Sequence, residues 1–354
     1  MTGHTAQDAP TLNVGVIGFG KLGLLHAGIV NALPGSRLAA VCDTSSTSLK
    51  MLATYMPDVD MHKDHRTMLV KSSLDAVFIA SPTGLHVDMA VDCVDQGVPV
   101  FIEKPLALNA AQARPLQEAL VKRPVVNAVG YMGRYVATFR KAKEIIASGA
   151  LGRLQMMRAN MYVGQLFQPG KGWRYDKEAS GGGVLITQNA HLIDKLLWMF
   201  GPVERVNGNV TSLYSKTVED HANAFLQFEN GLVGSFDASW SERHVRKPSM
   251  SIHVQGSAGT LDVDDDEVRL FLDADHGDLK AGWTTWRMPD LFEPVTFDVA
   301  GPYYTQQAEA FLNAVRGGDA VSSDVASAVR TQQVIDAIYL SAERSGAPVH
   351  IAEL

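Results

Sequence analysis

The sequence predicts an α/β domain with a parallel sheet, followed by an α+β domain built on a large, mostly antiparallel open sheet. Three observations carry this. The chain has 354 residues, longer than one hydrophobic core usually supports, so two cores are expected. From Leu12 to Val129 short apolar runs alternate with amphipathic stretches, the pattern of βαβ units. After Gly130 that alternation stops, which predicts domains at 1–130 and 131–354.

In the first domain the strand candidates are Leu12–Ile17, Arg37–Cys42, Ala76–Ala80, Val98–Ile102 and Val125–Val129. The helix candidates between them are Lys21–Ala32, Ser45–Tyr55, Leu85–Gln96 and Ala110–Leu120, each with apolar residues at helical spacing. In the second domain a helix is expected near Thr138–Ala147. One apolar helix should run from Gly181-Gly182-Gly183 to about Phe200, and strands should fill Val203–Val263. Acidic Asp262–Glu267 reads as a turn and the stretch to Pro302 as a surface excursion. Helices near Tyr304–Val315 and Val325–Ser345 close the chain.

Composition removes several function classes. Apolar residues at 46% and charged residues at 19% describe a globular chain. A net charge of −7 disfavours a phosphate backbone as partner, so no nucleic acid is expected. No membrane association is expected either, because no apolar stretch reaches spanning length. Cys42 and Cys93 show no metal-site spacing and read as buried thiols of a cytoplasmic protein. His62, Asp64, His65 and the Asp264–Asp266 cluster lack metal-ligand spacing, so no metal is expected.

The strongest motif is Gly18-Phe19-Gly20-Lys21-Leu22-Gly23, directly after the first strand and opening the first helix. In that setting G-x-G-x-x-G marks a Rossmann dinucleotide site: one glycine for the tight turn, one for approach of the pyrophosphate, one for helix–strand packing. Asp43, at the end of the second strand, is placed to accept hydrogen bonds from a ribose diol. Its charge favours NAD over NADP.

Together with these, Ser81-Pro82-Thr83-Gly84-Leu85-His86, Glu103-Lys104-Pro105, Trp173-Arg174, Gly181-Gly182-Gly183-Val184-Leu185, His191-Leu192-Ile193-Asp194 and Glu219-Asp220 make the chain resemble the Gfo/Idh/MocA family of sugar and cyclitol dehydrogenases over nearly its whole length. The resemblance implies hydride transfer between NAD and a secondary hydroxyl carbon of a sugar, sugar derivative or cyclitol. Lys104 would polarise the hydroxyl and His191 would exchange its proton, the two meeting at one nicotinamide although far apart in the chain. By residue type alone Lys104 also fits a surface lysine before a helix-starting proline, and His191 a core histidine.

Ser81, Pro82, Thr83, His86, Glu103, Trp173 and Arg174 join the glycine loop as expected cofactor contacts. Tyr131, Arg134, Gln165, Thr187 and Gln188 join Lys104 and His191 as expected substrate contacts. The chain departs from the family pattern one helical turn before His191, where Thr187 stands in place of the usual Asp and Asn189 replaces a Gly. A hydroxyl can bond a substrate oxygen but cannot stabilise an imidazolium as a carboxylate does. Thr187 therefore also admits a non-catalytic dinucleotide-binding regulator of the same fold. A keto-sugar reductase using NADPH is the second enzymatic alternative. In relatives the open sheet often forms a homodimer or homotetramer interface, and the same is expected here.

Overall fold

A computed structural model describes residues 10–245 and 247–354. They form two compact units: unit 1 comprises residues up to Leu106, Gln112–Gly130 and Pro294–Val325, and unit 2 comprises Ala107–Ala111, Tyr131–Glu293 and Ala326–Leu354.

Unit 1 holds β1 (Leu12–Ile17), α1 (Lys21–Ala32), β2 (Ser36–Cys42), α2 (Ser46–Tyr55), β3 (Asp60–His62), α3 (His65–Lys71), β4 (Ala76–Ile79), α4 (His86–Asp95), β5 (Val100–Ile102), α5 (Arg114–Lys122) and β6 (Asn127–Val129). The strands form a six-stranded parallel sheet in the order β3-β2-β1-β4-β5-β6, the doubly wound Rossmann arrangement. Its central strands are buried on both faces, as strands covered by helices on each side must be. The short β3 and α3 were not foreseen: Asp60-Met61-His62 has no continuous apolar run and is only partly buried.

Unit 2 begins with α6 (Ala137–Ala147) and β7 (Leu154–Tyr162), followed by the short helices α7 (Lys177–Ser180) and α8 (Val184–Thr187) and then α9 (Ala190–Phe200). Next come β8 (Val203–Thr211), β9 (His221–Phe228), β10 (Val233–Ser239), β11 (Ser249–Gly256), β12 (Gly259–Asp264), β13 (Glu267–Leu272), β14 (Gly282–Arg287) and α10 (Met288–Leu291). After α11 (Pro302–Val315), α12 (Val325–Glu343) and β15 (Val349–His350) close the chain. Nine strands form one sheet in the order β14-β13-β12-β11-β7-β10-β9-β8-β15. All described pairings in it are antiparallel except β7 with β10. One face is apolar, with Met157, Phe236, Leu226, Val254 and Leu270 buried. The other carries Arg158, Asn160, Asn223, Asp237, His253 and Arg269, the alternation of a sheet covered by helices on one side only.

Three expectations need correction. The single apolar helix expected from Gly183 to Phe200 is two helices, α8 and α9, broken at Gln188-Asn189, where Gln188 ends α8 with its φ drawn out to −117° and Asn189 caps α9. The surface excursion expected up to Pro302 contains β13 and β14, which pair from Glu267↔Arg287 to Leu272↔Gly282. The second domain was expected to hold residues 131–354, yet Pro294–Val325 belongs to unit 1. The cause is Phe311 on α11, which is fully buried and meets Phe78 and Phe101 edge-on at 5.4 and 5.8 Å.

Truncating that ring should show in stability. Phe311→Ala is expected to cost about 3–5 kcal/mol in chemical denaturation. A loss below about 1 kcal/mol would mean that α11 is not part of this core.

Candidate active site

Register sets the site in unit 1. Cys42 pairs with Ile17, Ile17 with Ile79, and Ile79 with Ile102. The residues that follow these strands therefore leave the sheet side by side at its carboxyl edge, about 5 Å between neighbours. Asp43, Gly18, Ala80-Ser81 and Glu103-Lys104 thus emerge together, on both sides of the point where the strand order reverses, where open α/β sheets bind ligands.

Each glycine of the loop has a separate reason. Gly18 has φ +86°, and a Cβ there would lie 2.7 Å from the backbone of Ala80 and Ser81. A Cβ on Gly23 would lie 1.8 Å from the Gly18 carbonyl oxygen, so α1 packs on the end of β1 with no room for a side chain. A Cβ on Gly20 would meet nothing within 4 Å. Gly20 caps α1 without a side-chain hydrogen bond, leaving the first amides of a twelve-residue helix to an outside acceptor. Open space before uncapped amides at a positive helix end suits a pyrophosphate.

Asp43 is held by the backbone: Oδ2 accepts from the Phe19 amide at 2.6 Å and Oδ1 from the Ser45 amide at 2.7 Å. It pins the glycine loop to the end of β2. Each oxygen keeps lone-pair capacity for a further donor.

Glu103 and Lys104 follow β5, and the Lys104–Pro105 peptide is cis. Glu103 is buried, with Oε1 2.7 Å from His26 Nε2 and Oε2 accepting from the Lys104 amide at 3.1 Å. A Cβ on Gly130 would lie 3.1 Å from Glu103 Oε2, so glycine there makes room for the carboxylate. His86 is buried, its Nδ1 2.9 Å from the Pro105 carbonyl and its Nε2 2.8 Å from the Ser81 carbonyl. Burial pulls the His86 pKa down, outweighing the two carbonyls and the Glu103 charge, which pull it up. Thr83 is buried in the turn after Pro82. His26 was not foreseen, although its place on the buried face of α1, three residues past Gly23, was a signal.

Unit 2 carries the other candidate residues. Gly181 and Gly182 have φ of +81° and +157°, and a Cβ on Gly183 would lie 1.8 Å from the Glu219 carbonyl oxygen. Glu219 Oε1 accepts from the Gly183 amide at 2.8 Å, the Leu185 amide at 3.0 Å and the Tyr339 hydroxyl at 2.7 Å. A buried carboxylate thus caps α8. Burial raises its pKa against these donors, which lower it. The Thr187 hydroxyl donates to the Gly183 carbonyl at 2.7 Å, so only its lone pairs face other partners. Asn189 is fully buried, and neither amide atom has a hydrogen-bond partner.

His191 sits on the first turn of α9, 8% exposed, with Tyr131 edge-on at 6.2 Å. Tyr131 is buried, and its phenol is pushed well up by burial and then by the Asp194 charge. Arg134 is also buried and forms a two-pronged pair with Asp194, Nε to Oδ2 at 2.9 Å and Nη2 to Oδ1 at 2.6 Å. Its guanidinium braces α9 from within. The neighbouring Lys195 ammonium lies 3.4 Å over the Phe139 ring, and burial lowers its pKa to about 8. Gln188 is half-buried, while Gln165, Trp173 and Arg174 are exposed, with the Arg174 guanidinium 5.6 Å over the Trp173 ring.

A doubly wound sheet with this loop at its carboxyl edge defines a dinucleotide-binding oxidoreductase fold. Residues 12–131 match the family described as "Oxidoreductase family, NAD-binding Rossmann fold" and residues 139–262 match the "GFO/IDH/MocA C-terminal domain". The chain belongs to the Gfo/Idh/MocA oxidoreductase family, and its cofactor is NAD. Among similar proteins is myo-inositol 2-dehydrogenase of Thermotoga maritima, 27% identical over 75% of this chain and 80% of the relative. Levoglucosan dehydrogenase of Pseudarthrobacter phenanthrenivorans is 24% identical over 94% and 96%. A solved levoglucosan dehydrogenase in complex with NADH superimposes with a TM-score of 0.86 at 23% identity, covering 96% of this chain and 99% of that one. At that identity the likeness shows the shared fold.

The glycines separate stability from cofactor binding. Gly23→Ala is expected to cost more than about 4 kcal/mol in denaturation because the helix must move. Gly20→Ala should leave stability within about 1 kcal/mol while weakening NAD in a fluorescence titration. Unchanged NAD affinity in Gly20→Ala would remove the pyrophosphate from this loop.

Proposed function

We propose that the protein is an NAD-dependent dehydrogenase that reversibly oxidises a secondary hydroxyl of a sugar, sugar derivative or cyclitol. The observation that carries this reading is the single row of strand ends that brings Lys104 to the same sheet edge as the glycine loop and Asp43. The substrate class is supported by relatives that act on myo-inositol and levoglucosan.

NAD, when bound, supplies the hydride acceptor. The residues do the rest. The Lys104 ammonium binds the reacting oxygen and offsets the negative charge that develops on it, which fixed positive charge does best in a site shielded from water. His191 takes the hydroxyl proton, a task suited to an imidazole, whose ring nitrogen can accept a proton and release it again. Thr187, its own proton engaged with Gly183, accepts a hydrogen bond from a substrate hydroxyl. Gln188 and the unpartnered Asn189 amide offer both donors and acceptors to a polyol. Tyr131 lies against His191. Arg134 acts indirectly, by bracing α9 through Asp194. Ser81, Pro82 and Thr83 flank the cofactor, and exposed Gln165, Trp173 and Arg174 reach toward ligand from their loop.

The Asp43 carboxylate favours the free ribose diol of NAD over the 2′-phosphate of NADP. The bare sheet face holds a depression of about 800 Å³ lined by polar and apolar groups in alternation, including Tyr162 and a half-exposed Phe225. It supports self-association as a homodimer or homotetramer. No described helix is long and apolar enough to cross a membrane, and both cysteines are buried and unbridged, which supports a reducing, cytoplasmic setting.

The test is a panel: NAD with inositols, levoglucosan and common sugars, then NADPH with ketoses, followed by NADH absorbance. Turnover is expected with NAD and at least one polyol, and Lys104→Ala should lower kcat by about 10²- to 10³-fold. Turnover confined to NADPH and ketoses would make it a reductase. NAD binding without turnover on the panel, or a Lys104→Ala rate equal to wild type, would overturn the reading; the first of these would favour the regulator that Thr187 admits.

A further inference from the structure

We propose that His26 and His86, two buried imidazoles on different helices, are positioning residues that hold the backbone around Lys104, His26 through the Glu103 carboxylate that accepts the Lys104 amide and His86 at the Pro105 carbonyl. The proposal rests on the reading of Lys104 as the group that binds the reacting oxygen.

The backbone around Lys104 is gripped at two points. Before it, the Glu103 carboxylate spans two partners: one oxygen accepts the Lys104 amide at 3.1 Å and the other meets His26 Nε2 at 2.7 Å. After it, the Pro105 carbonyl meets His86 Nδ1 at 2.9 Å. Both rings are 0–1% exposed. No water competes for these bonds, and in a low-dielectric interior a hydrogen bond is stronger and an unmade one costs more.

Each ring is itself fixed. His26 lies 5.3 Å from Phe78 and 5.2 Å from Phe101, which stack on each other at 4.7 Å. His86 spans two carbonyl oxygens, with Nε2 2.8 Å from Ser81 in the turn after β4. A carbonyl only accepts and a neutral imidazole carries one N–H, so His86 donates to one of the two, and the grip on Lys104 is the tautomer with its proton on Nδ1, toward Pro105. His26 also stands on α1, whose first turn opens at Gly20, and His86 begins α4. The two grips therefore tie Lys104 to the helix at the dinucleotide site and to the loop beside it. A flexible ammonium stem is accurate only if its Cα is, and misplacement of a reacting group by about 1 Å can cost a hundredfold in rate.

Neither imidazole touches the reacting atoms in this scheme, so its signature is a loss in kcat that depends on Lys104. His26→Leu and His86→Leu are expected to lower kcat by about tenfold to a hundredfold, with the NAD dissociation constant and the polyol KM changed less than about twofold. His26→Gln and His86→Gln, which keep a donor, should recover much of that loss and serve where a leucine variant fails to fold. On a Lys104→Ala background each leucine change should cost no more than about twofold, because coupled residues do not add. Hydrogen exchange of the segment 102–106, read by mass spectrometry without any substrate, should quicken in both leucine variants. An equal loss of rate with and without Lys104, or wild-type kcat and exchange in the leucine variants, would overturn the proposal. Faster exchange combined with a Lys104→Ala rate equal to wild type would leave the grips intact and sink the catalytic reading of Lys104.

Discussion

The site rests on one close approach. The α1 helix packs so tightly on the end of β1 that residue 23 has no room for a Cβ: the Gly18 carbonyl oxygen stands 1.8 Å from where it would be. That contact sets the direction of α1. Its uncapped first turn then opens at the carboxyl edge, and its buried face carries His26 to Glu103. Through Glu103 the same packing reaches the Lys104 amide. The placing of a glycine loop and of the Lys104 backbone, at positions 23 and 104 of the chain, follows from one helix–strand distance.

The order of strands and the parallel register convert that local fact into a site. Because Cys42, Ile17, Ile79 and Ile102 share a row, four strands deliver Asp43, Gly18, Ser81 and Lys104 to one edge. In unit 2 a comparable role falls to buried charge. Glu219 caps α8 at Gly183 and Leu185, and Asp194 joins α9 to Arg134. Breaking a buried pair leaves its partner charged and uncompensated, a cost of several kcal/mol. The segment bearing Thr187 and His191 is therefore stiffened from inside rather than by its own helical propensity, which a four-residue helix lacks.

Much of unit 1 was legible in the sequence, because its signals are local. Leu12–Ile17 and Lys21–Ala32 were located to the residue, since an apolar strand, a glycine loop and an amphipathic helix follow one another without interruption. Asp60–His62 escaped because three half-exposed residues carry no period. In unit 2, β7 escaped because Leu154–Tyr162 mixes methionines with Gln155, Arg158 and Asn160 and is edged by no hairpin signal. The break between α8 and α9 falls at Gln188-Asn189, where neither glycine nor proline announces it. Candidate site residues that stand beside a glycine or proline were visible. His26, Asp194 and Tyr339 were not assigned roles, because their partners are 77, 60 and 120 residues away.

The central claim is that a hydrogen passes, without exchange with water, between a polyol carbon and the nicotinamide ring. It is tested by incubating the protein with NAD and a polyol deuterated at its carbinol carbons, then weighing the NADH formed. The account predicts NADH heavier by one deuterium. Unlabelled NADH, or no NADH from any polyol while NAD remains bound, would contradict it.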